Sequence, residues 1–483
     1  MATGIPQTLA ESQSWLSQDL SAGHFEIGGY LERGQTLMTA DLRFPRDFVL
    51  GAATASYQIE GAVEEDGRGK SIWDVFSHTA GKIGDGMTGD VACDHYHRWR
   101  EDVALMKQLK LKAYRFSISW PRILPKGRGK VNQAGVDFYS RLVDGLLEAG
   151  ITPFVTLYHF DLPQALQEDG GGWLRRGIVE DYVNYVDVVS RALGDRVKFW
   201  ATFNEPWEFT WQGYVTGEDA PGLKGDAGAA LRATHHVYLA HGAAVRALRE
   251  NVPDGKIGIV LHLNFVEPAS GRPEDVAAAR RFEGCQNRWY LDPLFRGSYP
   301  ADMVKLYGRY MPEIRDGDME QIQAPLDFLG VNCYRRSVMA DGEELPPVNI
   351  HRISPEGEYT DMGWEVYPDG LYRILKYVNE NYEHPPLYVT ENGAAFPDIV
   401  GSDGCVHDER RIHYLSEHLA RVRRAVEEGI PLRGYFVWSL LDNFEWAYGY
   451  TKRFGLIYVD YATQKRIIKD SGFFIARVAE SLR

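Results

Sequence analysis

The chain has 483 residues, a formal net charge of −14, and 44% hydrophobic and 12% aromatic residues. That composition supplies a large core, and an acidic balance without a basic block argues against nucleic acid or an anionic membrane surface as partner. No apolar stretch approaches a bilayer span and no basic segment leads into an apolar one at the N-terminus, so neither a membrane anchor nor secretion by that route is indicated.

Residues 1–37 are rich in Gly, Ser and Gln and carry no sustained period. They are expected to form an extension outside the core, with Met38 opening the patterned region and residues 38–483 forming one catalytic unit. Beyond that point β-prone runs alternate with helical ones. The expected strands are Phe48–Ala53, Ala113–Ile118, Thr152–Leu157, Val197–Phe203, Lys256–His262, Phe328–Asn332, Leu387–Thr390 and Gly434–Ser439. Helical patterns fall at Tyr96–Leu109, Gln133–Ala149, Ile178–Leu193, Ala227–Asn251, Pro273–Tyr290, Gly370–Asn379, Asp408–Glu428 and Asp470–Leu482. Eight strands, each followed by a helix, predict an α/β fold: a single (β/α)8 TIM barrel with long loops at its C-terminal face. Ala340–Glu365, with its prolines and acidic residues, is expected as a long loop over the barrel mouth. A doubly wound open sheet would want an early phosphate-binding glycine turn, which the chain lacks.

In a barrel, chemistry gathers at the C-terminal ends of the strands. Two of the predicted strands end in carboxylates, in Thr202-Phe203-Asn204-Glu205-Pro206 and in Val389-Thr390-Glu391-Asn392-Gly393. Two carboxyl groups flanking one bond are the minimum equipment for glycoside hydrolysis. The other strand ends carry Gln58, Arg115 with Trp120, His159 with Asp161, Asn332 with Tyr334, and the segment from Trp438 to Trp446.

These segments resemble glycoside hydrolase family 1, the β-glucosidase family. The matching stretches are Thr54–Gly61, Tyr114–Trp120, Thr202–Pro206, Thr390–Gly393 and Trp438–Trp446, within residues 44–480. The resemblance implies a retaining β-glucosidase that also takes β-fucosides and β-galactosides, with small β-glucosides or short oligosaccharides as substrates. It implies Glu205 as acid/base and Glu391 as nucleophile, about 5–5.5 Å apart as retention requires. Arg115 and Tyr334 would hold the nucleophile, the cation favouring its ionised form. Asn204, supported by Asn332, would bind the sugar 2-hydroxyl. Gln58, His159, Glu445 and Trp446 would take the remaining hydroxyls, Trp438 would be the stacking floor, and Phe454 an apolar wall. Three positions depart from the family pattern: Leu50 and Phe160 stand where Trp is usual, and Cys333 replaces the first of two tyrosines.

No cofactor and no metal are expected. His95, His97, His235, His236 and His241 fall on helical segments without a set of convergent carboxylates. Cys93, Cys285, Cys333 and Cys405 form no CxxC pair and read as reduced thiols, which favours a cytoplasmic location. Composition leaves the oligomeric state open, a homo-oligomer included. Two competing readings are a 6-phospho-β-glycosidase, disfavoured because Glu445 would repel the phosphate, and a sugar-binding protein that has lost catalysis, disfavoured by the intact Glu205, Glu391 and Arg115.

Overall fold

Runs that are apolar on both faces become central strands, because a parallel barrel buries one face inside and the other under helices. The computed structural model describes residues 42–383 and 386–482; the expected extension over residues 1–37 and its Met38 boundary lie outside them. The barrel strands are β1 (Val49–Ala53), β2 (Ala113–Ser117), β3 (Thr152–Thr156), β4 (Phe199–Asn204), β5 (Lys256–His262), β6 (Phe328–Asn332), β7 (Leu387–Asn392) and β8 (Leu432–Trp438). Each is parallel to its neighbours in chain order, and β8 returns to pair with β1 over Gly434↔Val49 to Trp438↔Ala53, closing the barrel.

Aromatic rings fill the interior. Phe154 stacks on Phe199 at 4.0 Å and meets Phe436 at 4.9 Å. Gly51 makes room for them, since a Cβ there would lie 2.6 Å from the Phe436 ring. Outside, amphipathic helices cover the strands with one stripe each. Helix Gln133–Glu148 buries Phe138, Tyr139, Leu142, Val143 and Leu146, and helix Ile178–Leu193 buries Tyr182, Tyr185, Val186, Val189 and Leu193. No helix among the described residues is long and apolar enough to cross a membrane.

The register breaks where it matters. β4 and β5 shift between Ala201 and Asn204, and β7 shifts against β6 between Val389 and Glu391. Bulges re-aim side chains and recur beside active sites; here they lie just before Glu205 and at Glu391.

The predicted elements recur with ends moved by a residue or two, but two segments differ. The run Pro273–Tyr290 is not one helix: α-helix Pro273–Glu283 gives way to a π-helical turn, Gly284–Arg288, and a new helix, Trp289–Arg296. Gly284 packs so closely on Met303 that a Cβ would sit 2.4 Å from its sulfur. The expected loop Ala340–Glu365 instead holds β-structure. Arg336–Glu344 pairs parallel with Phe265–Pro268 and antiparallel with Ile350–Ile353. Buried Met339, Val348 and Ile350 anchor this sheet, and Arg281 binds its turn through the Val348 carbonyl at 2.6 Å.

Candidate active site

Glu205 follows the last residue of β4 in a left-handed conformation, φ 44°, a region costly for residues with a Cβ. Its N–H donates to the Val260 carbonyl of β5 at 2.9 Å, which fixes the turn. The Asn332 amide donates to Glu205 Oε1 at 2.8 Å. Burial pushes the Glu205 carboxyl well above its usual range, and the negative charges of Glu391 and then Glu208 push the same way. Both causes favour the protonated form.

Glu391 lies in β7 beside Asn332 of β6. Each of its oxygens is held. Arg115 Nη1 donates to Oε1 at 2.5 Å and the Tyr334 hydroxyl donates to Oε2 at 2.6 Å. Arg115 Nη2 donates to Asn204 Oδ1 at 2.6 Å, and Asn332 Nδ2 reaches the same oxygen at 3.1 Å. Asn332 is itself oriented by the Thr390 hydroxyl, which donates to its Oδ1 at 2.7 Å. Residues from β2, β4, β6 and β7 thus form one polar network, fully out of water, and its bonds set the orientation of every amide in it.

That orientation reaches His159. With Asn204 Oδ1 occupied by two donors, Asn204 Nδ2 donates to His159 Nε2 at 3.1 Å. Burial, helped by Arg115, lowers the imidazole well below its usual value, so it is neutral with its proton on Nδ1. That buried Nδ1 has no partner among the described residues and is free to donate to a ligand.

A pocket of about 450 Å³ brings together His159, Glu205, Tyr334, Glu391, Trp438, Glu445 and Trp446. Glu445 is pushed up to about 8 by burial and then by Glu391. The Gln58 amide braces the loop beneath it, donating to Asn443 Oδ1 and the Phe444 carbonyl at 2.9 Å and approaching Glu445 at 3.4 Å. The His159 ring lies 5.9 Å from both Trp438 and Trp446, tilted by 26°. Arg115, Asn204, Asn332 and Gln58 stand just behind the lining. Phe454 does not line the pocket; it sits behind it, 6.3 Å from the Tyr334 ring and 6.0 Å from that of Trp364.

The three departures fall in three settings. Leu50 is buried in β1. Phe160 takes a left-handed φ of 75° and places its ring 5.0 Å from Trp446, offering an apolar edge without an N–H. Cys333 donates its backbone N–H to the Glu391 carbonyl at 3.1 Å, and burial pushes its thiol up to about 12.

Sequence reasoning missed Glu208 and His262. Glu208 begins the π-helical segment Glu208–Thr216 and pairs with His262 Nδ1. Ligand atoms of Glu205, Glu208 and His262 lie within 4.8 Å of one another. Glu205 is already bonded by Asn332, and Glu208 is bonded to both His262 and Gln212, so the trio reads as a hydrogen-bonded chain. The signal was Glu205-Pro-Trp-Glu208, an i, i+3 pair at a helix start. Of the other histidines singled out in the sequence, three meet carboxylates as structural pairs, His95 with Asp102 at 2.7 Å, His97 with Asp94 at 2.6 Å and His235 with Asp318 at 3.0 Å, while His236 bonds the Trp173 carbonyl and His241 the Thr202 hydroxyl.

Comparison with known proteins agrees with this geometry. The family model "Glycosyl hydrolase family 1" matches residues 40–482. "Beta-glucosidase A" of Thermotoga maritima is 51% identical over 440 residues, covering 91% of this chain and 98% of that protein. The "Bifunctional beta-D-glucosidase/beta-D-fucosidase" of Bifidobacterium breve is 48% identical over 449 residues, covering 89% and 96%. A solved structure, the Thermotoga maritima family 1 glycoside hydrolase complexed with a cyclophellitol analogue transition state mimic, superposes with a TM-score of 0.89 at 51% identity, covering 91% and 99%. A fold, a paired-carboxyl pocket and a match over nearly the whole described chain converge, and the chain belongs to glycosyl hydrolase family 1.

Proposed function

We propose that the chain is a retaining β-glucosidase that removes terminal β-D-glucosyl residues and also accepts β-fucosides and β-galactosides. One observation carries the reading. Two carboxyl groups share a pocket in opposite environments: Glu391 is ion-paired to Arg115, and Glu205 is buried, which with the neighbouring charge of Glu391 pushes its carboxyl well above the usual range.

In the first step a Glu391 oxygen attacks the anomeric carbon, the bond to the aglycone oxygen breaks, and the Glu205 proton passes to that oxygen. The product is a glycosyl ester of Glu391. Its formation removes the charge of Glu391, one of the causes that raise the Glu205 carboxyl, so Glu205 gives up its proton more readily and can act as a base. Glu205 then takes a proton from water, the water oxygen attacks the anomeric carbon, and Glu391 leaves as the carboxylate. Two inversions give net retention. In this reading Asn204 holds the 2-hydroxyl, His159 Nδ1–H and Gln58 bind hydroxyls further round the ring, and Glu445 accepts from two of them. Trp438 is the floor. Loss of the 6-hydroxyl, as in fucosides, would leave a methyl group near aromatic rings, in keeping with the name of the Bifidobacterium breve relative. Three buried thiols, Cys93, Cys285 and Cys333, suit a reducing compartment, and we place the enzyme in the cytoplasm.

Hydrolysis of 4-nitrophenyl β-D-glucoside followed by proton NMR tests the reading. The β-anomer of glucose should appear first and mutarotate afterwards. First appearance of the α-anomer would refute retention. Faster hydrolysis of the 6-phosphorylated substrate would refute the choice of sugar.

A further inference from the structure

The pocket carries two arginines that pair with no carboxylate among the described residues. Arg335 follows β6 by three residues, and Arg352 lies on the strand Ile350–Ile353. Both line the pocket. Neither makes an ion pair or a side-chain hydrogen bond among the described residues. Arg335 has only the face of Trp364, 5.6 Å from its guanidinium, and Arg352 only that of Phe282, at 5.7 Å. Arg335 is half-buried and Arg352 is exposed at the rim; proteins seldom leave a half-buried guanidinium such as that of Arg335 unpaired, because a desolvated charge wants a partner. Burial, and then the neighbouring charge of Arg352, pushes Arg335 down to about 9, although it still carries its proton at neutral pH.

The acidic groups across the pocket pair with neither arginine. The field of Glu208 reaches both, but its carboxylate is hydrogen-bonded to His262 and Gln212. Burial beside Glu208 and Glu218 pushes Asp219 up to about 8, so it is neutral at pH 7. Glu218 is exposed and solvated. Glu205, Glu391 and Glu445 belong to the sugar half. Trp207, Trp211, Met362, Trp364 and Tyr448 line the same pocket. Its wall is therefore aromatic as well as cationic.

We propose that the aglycone half of this pocket selects β-glucosides of aromatic acids, with Arg335 and Arg352 binding the aglycone carboxylate while the neighbouring rings stack on its arene. The proposal rests on the glycosidase reading of the same pocket and extends it from the sugar to the leaving group. A guanidinium matches a carboxylate in shape and charge.

The test uses two probes of equal shape, 4-(carboxymethyl)phenyl β-D-glucoside and its amide, 4-(carbamoylmethyl)phenyl β-D-glucoside. The methylene keeps the two phenol leaving groups nearly alike. Sulfur-linked versions of both, which resist hydrolysis, report binding alone by calorimetry. The carboxylate should bind roughly five- to tenfold tighter than the amide at low salt and show the same preference in kcat/KM. The preference should shrink at high ionic strength. Arg335→Gln and Arg352→Gln should each reduce the ratio and together bring it to about one; the ratio cancels any general loss of activity. Arg352 lies on an exposed strand, so that variant reports even if the other fails to fold. Equal or weaker binding of the carboxylate by the wild-type enzyme, or a ratio unchanged in the variants, overturns the proposal. Calorimetric preference without hydrolysis of any probe upholds it and refutes the glycosidase reading instead.

Discussion

Glu208→Gln tests whether the field within the pocket sets the working pH. Glu208 has a side chain 14% exposed, and its carboxyl lies within 4.8 Å of a Glu205 oxygen. At that distance two like charges repel by about 3.5 kcal/mol at an effective dielectric constant of about 20, equivalent to about 2.5 pH units as a ceiling. The bonds from His262 and Gln212 draw off part of that charge, so a fall of roughly 0.5–1.5 units is the expected effect. The sign follows from the role of the acid. Glu205 must be protonated for the first step, and activity is lost as pH rises through its pKa. Removing a negative neighbour eases its ionisation, so the basic limb moves to lower pH. The assay is the pH profile of kcat/KM, which reports the free enzyme, with 4-nitrophenyl β-D-glucoside. The 2,4-dinitrophenyl glucoside serves as control, since its leaving group needs little protonation and its basic limb should hardly move. A limb that stays put, rises, or moves equally for both substrates would refute the reasoning.

Two further variants separate the carboxyl groups. Glu391→Ala should abolish turnover and be rescued by azide as a glycosyl azide of inverted configuration, while Glu205→Ala should still react with dinitrophenyl glucosides and give the retained azide; rescue of neither would break the assignment of roles. Glu205→Gln should melt higher than the parent above neutral pH. The raised pKa of Glu205 means that the folded state holds its proton more tightly than the unfolded chain, so this group's contribution is complete below the unfolded value and is lost as pH rises through the folded one. Scanning calorimetry from pH 5 to 9 should show the gap widening with pH; a constant gap would mean that Glu205 is not the group titrating.

What the sequence made legible follows from where the physics is local. β2, Ala113–Ser117, is buried at all five positions, and its run of apolar residues around Arg115 announces both a central strand and the odd cation within it. Glu205 and Glu391 could be placed because a strand end in a barrel has one destination, and their opposite environments are built by other strand ends, Arg115 of β2 reaching across the barrel to Glu391 of β7. Arg352 could not be placed in that way. Its strand, Ile350–Ile353, has a burial pattern of one buried residue, two exposed and one intermediate, and its pairing with Val338–Asp341 is interrupted by an acidic turn. No period of two survives there, so the segment reads as a loop although it forms a sheet. Phe454 shows the opposite failure: its place near the aromatic cluster was legible, but which ring faces the pocket depends on Trp364, ninety residues earlier in the chain and unmarked by any period. The sugar half of the pocket is assembled from strand ends and is therefore written in local motifs. The outer half is assembled from segments that pack over the barrel, and there neither chain order nor hydrophobic spacing fixes which side chains meet. Specificity for the leaving group is therefore the part of the chemistry that the folded chain holds and the linear sequence conceals.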